Sequence, residues 1–138
     1  MNRFVIDNSV VLSWCLEDEG CRYAYALLEQ IPQCEALVPA IWPLELTNAL
    51  LMAECRKRIT EAELTRSLSI LRDFPIHIEQ EPPERTWTNI LSLARSQDLT
   101  TYDASYLDLA MRTGLPIATL DKVLTKAARK VQVSIYKP

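Results

Sequence analysis

The sequence predicts an α/β protein: a three-layer α/β/α sandwich around a central, mostly parallel sheet. Three observations carry this. Short apolar runs alternate with longer stretches of helical periodicity along the whole chain, the pattern of βα units. The first run, Phe4-Val5-Ile6, is apolar at every position, as for a strand covered on both faces inside a parallel sheet. That run, and a later one ending at Leu120, stops directly in a carboxylate that opens a helical stretch. The carboxyl edge of an open α/β sheet is where its ligand crevice lies.

The elements follow in order. Residues 3–7 read as the first strand, and a short helix starts at Asn8 or Ser9, either of which can cap it. Glu17-Asp18-Glu19-Gly20 is a surface break. Cys21 to Gln30 is a helix closed by Pro32, which cannot donate to a continuing helix. Ala36-Leu37-Val38 is the second strand. Ile41 to Arg56 is a strong helix whose stripe is Trp42, Leu46, Ala49, Leu50 and Ala53. Thr60 and Glu63 have capping-box spacing and open a helix running to Asp73. Pro75 to Glu79 is a strand, and Pro82-Pro83 precede a helix over Glu84 to Arg95 with Trp87, Ile90, Leu91 and Ala94 inward. Thr101 to Thr113 is a helix with Gly114 as its C-terminal cap. Leu115 to Leu120 is a strand, a helix runs from Asp121 to Lys130, and Val131 to Ile135 is a last short strand.

Size and composition narrow the class. The chain has 138 residues, 49% of them hydrophobic, which suits one domain spanning 1–138 with a substantial core. No apolar stretch approaches the ~20 residues of a membrane span, and no signal-peptide pattern opens the chain, so a cytoplasmic location without membrane contact is expected. Its four cysteines have no C-x-x-C spacing and only one histidine to join them, which argues against zinc and for reduced, mostly packed thiols. The net charge of −3 argues against tight nucleic-acid binding by bulk charge. Local basic groups exist, namely Arg56-Lys57-Arg58 and Lys122, Lys126, Arg129 and Lys130; each reads most simply as a solvated helix face or end.

Four acids are the candidate chemistry: Asp7, Glu45, Asp103 and Asp121. Asp7 and Asp121 each follow a strand and precede a helix, so each also reads as an N-cap. Asp103 lies three residues after Thr100, which is capping-box spacing. Glu45 is hardest to explain as a cap. It sits among Ile41, Trp42, Leu44 and Leu46, where an unpaired carboxylate is costly to bury, and Asn48 on the same helix edge can hydrogen-bond it. Asp108, five residues beyond Asp103, points away from it and is expected to be exposed. Acids brought together repel one another unless a cation or raised pKa values compensate. Oxygen-only ligands suit Mg²⁺ or Mn²⁺, ions able to activate water and polarise a phosphoryl oxygen.

Four segments in order carry a resemblance: Val5-Ile6-Asp7-Asn8-Ser9, Pro43-Leu44-Glu45-Leu46-Thr47-Asn48-Ala49-Leu50, Thr101-Tyr102-Asp103-Ala104-Ser105-Tyr106-Leu107 and Ala118-Thr119-Leu120-Asp121-Lys122. They resemble the motifs of PIN-domain proteins, most nearly the VapC-type toxins of bacterial toxin–antitoxin pairs. The resemblance spans essentially the whole chain. It implies Asp7, Glu45, Asp103 and Asp121 as catalytic, metal-binding residues, with Ser9, Asn48 and Thr119 supporting them. It further implies a Mg²⁺- or Mn²⁺-dependent endoribonuclease that leaves a 5′-phosphate and a 3′-hydroxyl, RNA as substrate, a cognate antitoxin as partner, and a homodimer. Many relatives carry a glycine shortly before the last strand; Ala128-Arg129-Lys130-Val131 has none.

Two rival readings compete. A non-catalytic PIN-like module binding RNA or protein would be marked by lost acids, and all four are present. An aspartate phosphotransfer domain of phosphatase type needs an acid two residues after Asp7, where Ser9 stands, and a receiver needs an acid pair near the first strand, which Asp7 lacks.

Overall fold

In a computed structural model, which describes residues 1–138, the chain builds a four-stranded sheet of order β3-β2-β1-β4 with every neighbouring pair parallel. The strands are β1 (Asn2–Ile6), β2 (Cys34–Pro39), β3 (Ile76–Glu79) and β4 (Ile117–Ala118). The helices are α1 (Asn8–Cys15), α2 (Arg22–Gln30), α3 (Trp42–Cys55), α4 (Glu61–Arg72), α5 (Pro83–Arg85), α6 (Leu91–Gln97), α7 (Thr101–Thr113) and α8 (Lys122–Lys130). None is long and apolar enough to cross a membrane.

The strand order positions the site. From β1 the chain steps outward to β2 and then β3, and it returns past β1 to lay down β4 on the far side. Right-handed crossovers then put α1 to α4 on one face and α5 to α7 on the other. The direction of winding reverses between β1 and β4, which opens a crevice beyond their carboxyl ends. Asp7 and Asp121 lie just past those two ends.

The sheet is held by burial on both faces. Phe4, Val5 and Ile6 of β1 and Ala36 and Val38 of β2 are fully buried, as are Leu27, Leu50, Leu107, Leu109 and Leu124 from the helices around them. Each large apolar side chain so covered contributes ~1.5–3 kcal/mol. Tyr136 from the C-terminal segment stacks on Phe4 with ring centroids 4.1 Å apart, closing one side of β1.

Local signals explain several helix ends. Thr60 and Glu63 form the reciprocal capping box: the Glu63 amide donates to the Thr60 hydroxyl (3.1 Å) and the Thr60 amide to Glu63 Oε1 (3.2 Å). Gly114, at φ +69°, ends α7 in the left-handed conformation, and the Leu115 amide reaches back to the Ala110 carbonyl at 3.1 Å.

Four expectations need correction. The last strand, expected over Val131 to Ile135, is a single bridge between Ile135 and Ile117, because α8 runs to Lys130 and the turn after it takes up Val131 and Gln132. The strand expected over Leu115 to Leu120 pairs only at Ile117 and Ala118, since Thr119 is already committed to side-chain bonds at the site. Trp87 and Leu91, expected inward, are 69% and 39% exposed, whereas Ile90 and Ala94 are buried. A π-helical turn over Thr86–Ile90 joins α5 to α6, and its wider i→i+5 winding throws Trp87 out of phase. Asp108, expected exposed, is 5% exposed. It does point away from Asp103, but Ala104 to Ala110 of α7 are all buried, so facing away from the site is not facing solvent.

Candidate active site

Asp7 follows β1, occupies the N-cap position of α1 and makes no side-chain capping hydrogen bond. Its side chain is instead bonded across to the end of β4. Ser9 and Thr119 hydroxyls both donate to Asp7 Oδ2, at 2.6 and 2.9 Å. The same two hydroxyls bind the β4 side. Ser9 Oγ accepts from the Leu120 amide at 2.9 Å, and Thr119 Oγ1 accepts from the Asp121 amide at 3.0 Å. Thus the ends of β1 and β4 are tied through two hydroxyls converging on one carboxylate oxygen. Asp7 is 5% exposed. Burial raises its pKa, the two hydroxyls partly oppose that, and the Asp121 charge adds to the rise.

Asp121 realises the capping expectation. Its Oδ1 accepts from the Val123 and Leu124 amides at 2.8 and 3.0 Å, which fixes the start of α8 and leaves Oδ2 available. Asp103 realises only half of its own. The Asp103 amide donates to the Thr100 hydroxyl at 3.1 Å, but no reciprocal capping box forms around its carboxylate. Burial first, and then the charges of Asp7, Asp121 and Glu45, push Asp103 up to about 6, with Thr100 opposing.

Glu45, in the first turn of α3, is half-buried. Tyr106 of α7, itself fully buried, donates its hydroxyl to Glu45 Oε1 at 2.7 Å. Burial raises the Glu45 pKa, Tyr106 lowers it and the Asp7 charge raises it. Tyr106 is itself driven far above the usual phenol range, by burial first and then by the Glu45 charge, so it remains a donor. Sequence reasoning assigned it no role. The available signal was its place three residues after Asp103, which puts both on one face of α7. Asn48 behaves differently from expectation. It is exposed, makes no hydrogen bond to Glu45, and lines a shallow groove with Ile41, Leu44, Glu45 and Tyr102.

All four acids are therefore close enough for their charges to act on one another, since Asp103 responds to the other three. They are not drawn into a ready-made cluster: no three or more His, Cys, Asp or Glu side chains are gathered as a metal-binding set. The donor chemistry nevertheless fits a hard divalent cation. It consists of oxygen alone, and Asp7, Glu45 and Asp121 each have one oxygen fixed by protein donors. Asn8, next to Asp7, adds a buried side-chain carbonyl oxygen with no hydrogen-bond partner.

A parallel sheet with acids at its switch point defines a doubly wound α/β domain, and comparison with known proteins gives its family. The PIN domain family model matches residues 4–130, so the chain belongs to the PIN-domain family. No curated protein matches the chain. Among solved structures, VapBC2 from Rickettsia felis, bound to a DNA fragment from its promoter, superposes with TM-score 0.69 at 11% identity over 97% of both chains. PAE2754 from Pyrobaculum aerophilum gives TM-score 0.65 at 20% identity, covering 91% of this chain and 84% of its own. FitAcB from Neisseria gonorrhoeae gives 0.64 at 19%, covering 98% and 97%. At these identities the likeness is one of fold.

Proposed function

We propose that this PIN-domain protein is a metal-dependent endoribonuclease and the toxin of a toxin–antitoxin pair, with Asp7, Glu45, Asp103 and Asp121 as its metal-holding acids. The observation that carries the reading is the division of labour at the carboxylates. One oxygen of Asp7, of Glu45 and of Asp121 is held by a side-chain or helix-start donor, and all three acids belong to elements that meet at the sheet's switch point. A carboxylate serving only as a helix cap has no need of neighbours that raise its pKa, yet Asp103 has three.

A bound Mg²⁺ or Mn²⁺ supplies Lewis acidity toward a phosphoryl oxygen and acidifies a coordinated water. The chain's own residues do the rest. Ser9 and Thr119 hold the Asp7 carboxylate in place at the ends of β1 and β4. Tyr106 holds Glu45 against rotation away from the crevice. Asp103, raised by burial and by three neighbouring acids, is a carboxylate whose charged form a nearby cation would favour. The Asp121 oxygen bonded to two α8 amides anchors the fourth acid against the end of β4.

The antitoxin follows from the VapC-type resemblance and is supported by the surface beside the acids. Leu44 and Tyr102, at the groove that Glu45 lines, are 70% and 57% exposed, apolar area suited to a covering protein segment. The nuclease is tested with Asp7→Asn. RNA cleavage is expected to fall at least ~10³-fold, as for loss of a group that fixes charge at the reacting centre, with an unchanged circular-dichroism spectrum. EDTA-sensitive cleavage retained in that variant would overturn the assignment. Absence of Mn²⁺ binding by calorimetry, together with retained RNA affinity, would favour a non-catalytic module.

A further inference from the structure

Helix α8 starts at Asp121 and runs away from the acid site with a face that the mechanism does not use. Lys122, Lys126, Arg129 and Lys130, with Thr125 between them, share one open stretch of its surface. These positions are spaced by three or four residues, so they share one face of the helix. The opposite face is core, with Leu124, Ala127 and Ala128 buried. All four cationic side chains are exposed, none is in a salt bridge, and α8 contains no acid. Outside α8, Arg3, Arg58, Arg85 and Arg112 are paired with acids, and the remaining unpaired cations are spread over several elements rather than gathered on one helix face. In a chain of net charge −3, four uncompensated cations on nine residues form a concentrated positive ridge.

We propose that this ridge is a phosphate track for single-stranded RNA, carrying the backbone that flanks the cleaved bond away from the acid site. The proposal rests on the nuclease reading for its choice of polyanion. Lys122, Lys126 and Lys130 follow one another at a rise of ~6 Å per step, which lets successive cations meet successive phosphates of an extended strand. The lining favours a nucleic-acid backbone over a protein. None of its residues is hydrophobic, so a protein partner would meet aliphatic stems tipped with charge rather than an apolar anchor site. A sugar–phosphate chain needs only charge, supplied here without competing acids. The ridge also answers an electrostatic difficulty, since four carboxylates by themselves repel the strand they are to cut. Cations beginning one residue after Asp121 draw the strand to the rim of that acidic field.

The test is binding, read apart from cleavage. Fluorescence anisotropy with an end-labelled single-stranded RNA in EDTA gives affinity for the unaltered protein, Lys126→Gln/Arg129→Gln, and Arg66→Gln as a control on exposed α4. The double variant is expected to bind about tenfold more weakly at low salt, and its log affinity–log salt slope to shrink by about 1.4, from ~0.7 for each lost single-strand contact. Its melting temperature is expected to match the unaltered protein, and Arg66→Gln to leave affinity unchanged. Equal affinity in the double variant, or no RNA binding by the unaltered protein, would overturn the track. Loss of binding to a polyglutamate peptide with RNA affinity unchanged would replace it with an acidic protein partner. Absence of cleavage by a protein whose RNA affinity still depends on Lys126 and Arg129 would count against the nuclease and leave the track intact.

Discussion

Tyr106 shows how much one side chain settles at the site. Its hydroxyl is the only protein donor to Glu45, and it reaches across from α7 to α3. Tyr106→Phe removes that donor and no carbon atom, so packing in the core is preserved. Glu45 then loses the bond that favours its charged form, and its pKa rises further. Cleavage by Tyr106→Phe is expected to fall about tenfold in kcat with KM for RNA little changed, and Mn²⁺ affinity by calorimetry should weaken in step. An unchanged kcat and Mn²⁺ affinity would show that Tyr106 merely fills space. Asp7 and Asp121 were legible as sequence because a buried strand that stops in an acid is a visible pattern. Tyr106 was not legible, because an aromatic residue inside an apolar helix looks like core, and here it is core as well as donor. Asn48 shows the converse: it lies on the same helix edge as Glu45, but sequence spacing does not say that its amide stays in solvent.

At the scale of elements, the largest surprise is how the α5–α6 segment is fastened to α7. Arg85 of α5 makes a bidentate pair with Asp108, Nε to Oδ2 and Nη2 to Oδ1, both at 2.8 Å. Arg112 lies 3.5 Å from Asp108 and 3.5 Å from Glu81, extending the pair to four residues. A buried pair of this kind is weak evidence of net stabilisation, but breaking it strands a charge. Asp108→Asn leaves Arg85 and Arg112 facing a neutral amide and is expected to destabilise the fold by about 2–4 kcal/mol, read as a lowered denaturant midpoint. An effect under ~0.5 kcal/mol would show that solvent already screens the network. Periodicity could not give this, because it assigns faces of a helix but not which faces other elements cover. The π turn at Thr86–Ile90 is invisible for a related reason: it depends on hydrogen bonds that no side-chain pattern encodes. The departure before the last strand has a simple resolution. Gln132 itself adopts the left-handed region at φ +63°, at a cost of about 1–2 kcal/mol that a glycine would avoid.

At the scale of the whole molecule, the proposed acid site makes a prediction about stability against pH and metal. Asp7, Glu45 and Asp103 all have pKa values raised in the folded state, burial being the first cause for each. A raised carboxylate favours the fold while protonated, so its contribution is fully present below the unfolded pKa and is lost as pH rises through the folded one. For Asp103 that window runs from 3.8 to about 6. Other groups titrate in the same range, so the difference between Asp103→Asn and the unaltered protein isolates the effect. Without metal, the variant is expected to melt at the same temperature below this window and higher above it. After allowance for solvent screening at a half-buried group, the gain is about 1 kcal/mol, or roughly 4 °C. Millimolar Mn²⁺ should reverse the order. A ligand that binds only the folded state stabilises it by ~2.7 kcal/mol at a hundred times its dissociation constant, and it recruits the very charges that repel in its absence. The unaltered protein is then expected to gain more from Mn²⁺ than Asp103→Asn, most of all above the Asp103 window, where the carboxylate carries its charge without competition from protons. A melting temperature indifferent to Mn²⁺ at every pH, with Asp103→Asn still the more stable protein, would mean that the four acids repel in the folded state for some purpose other than holding a cation.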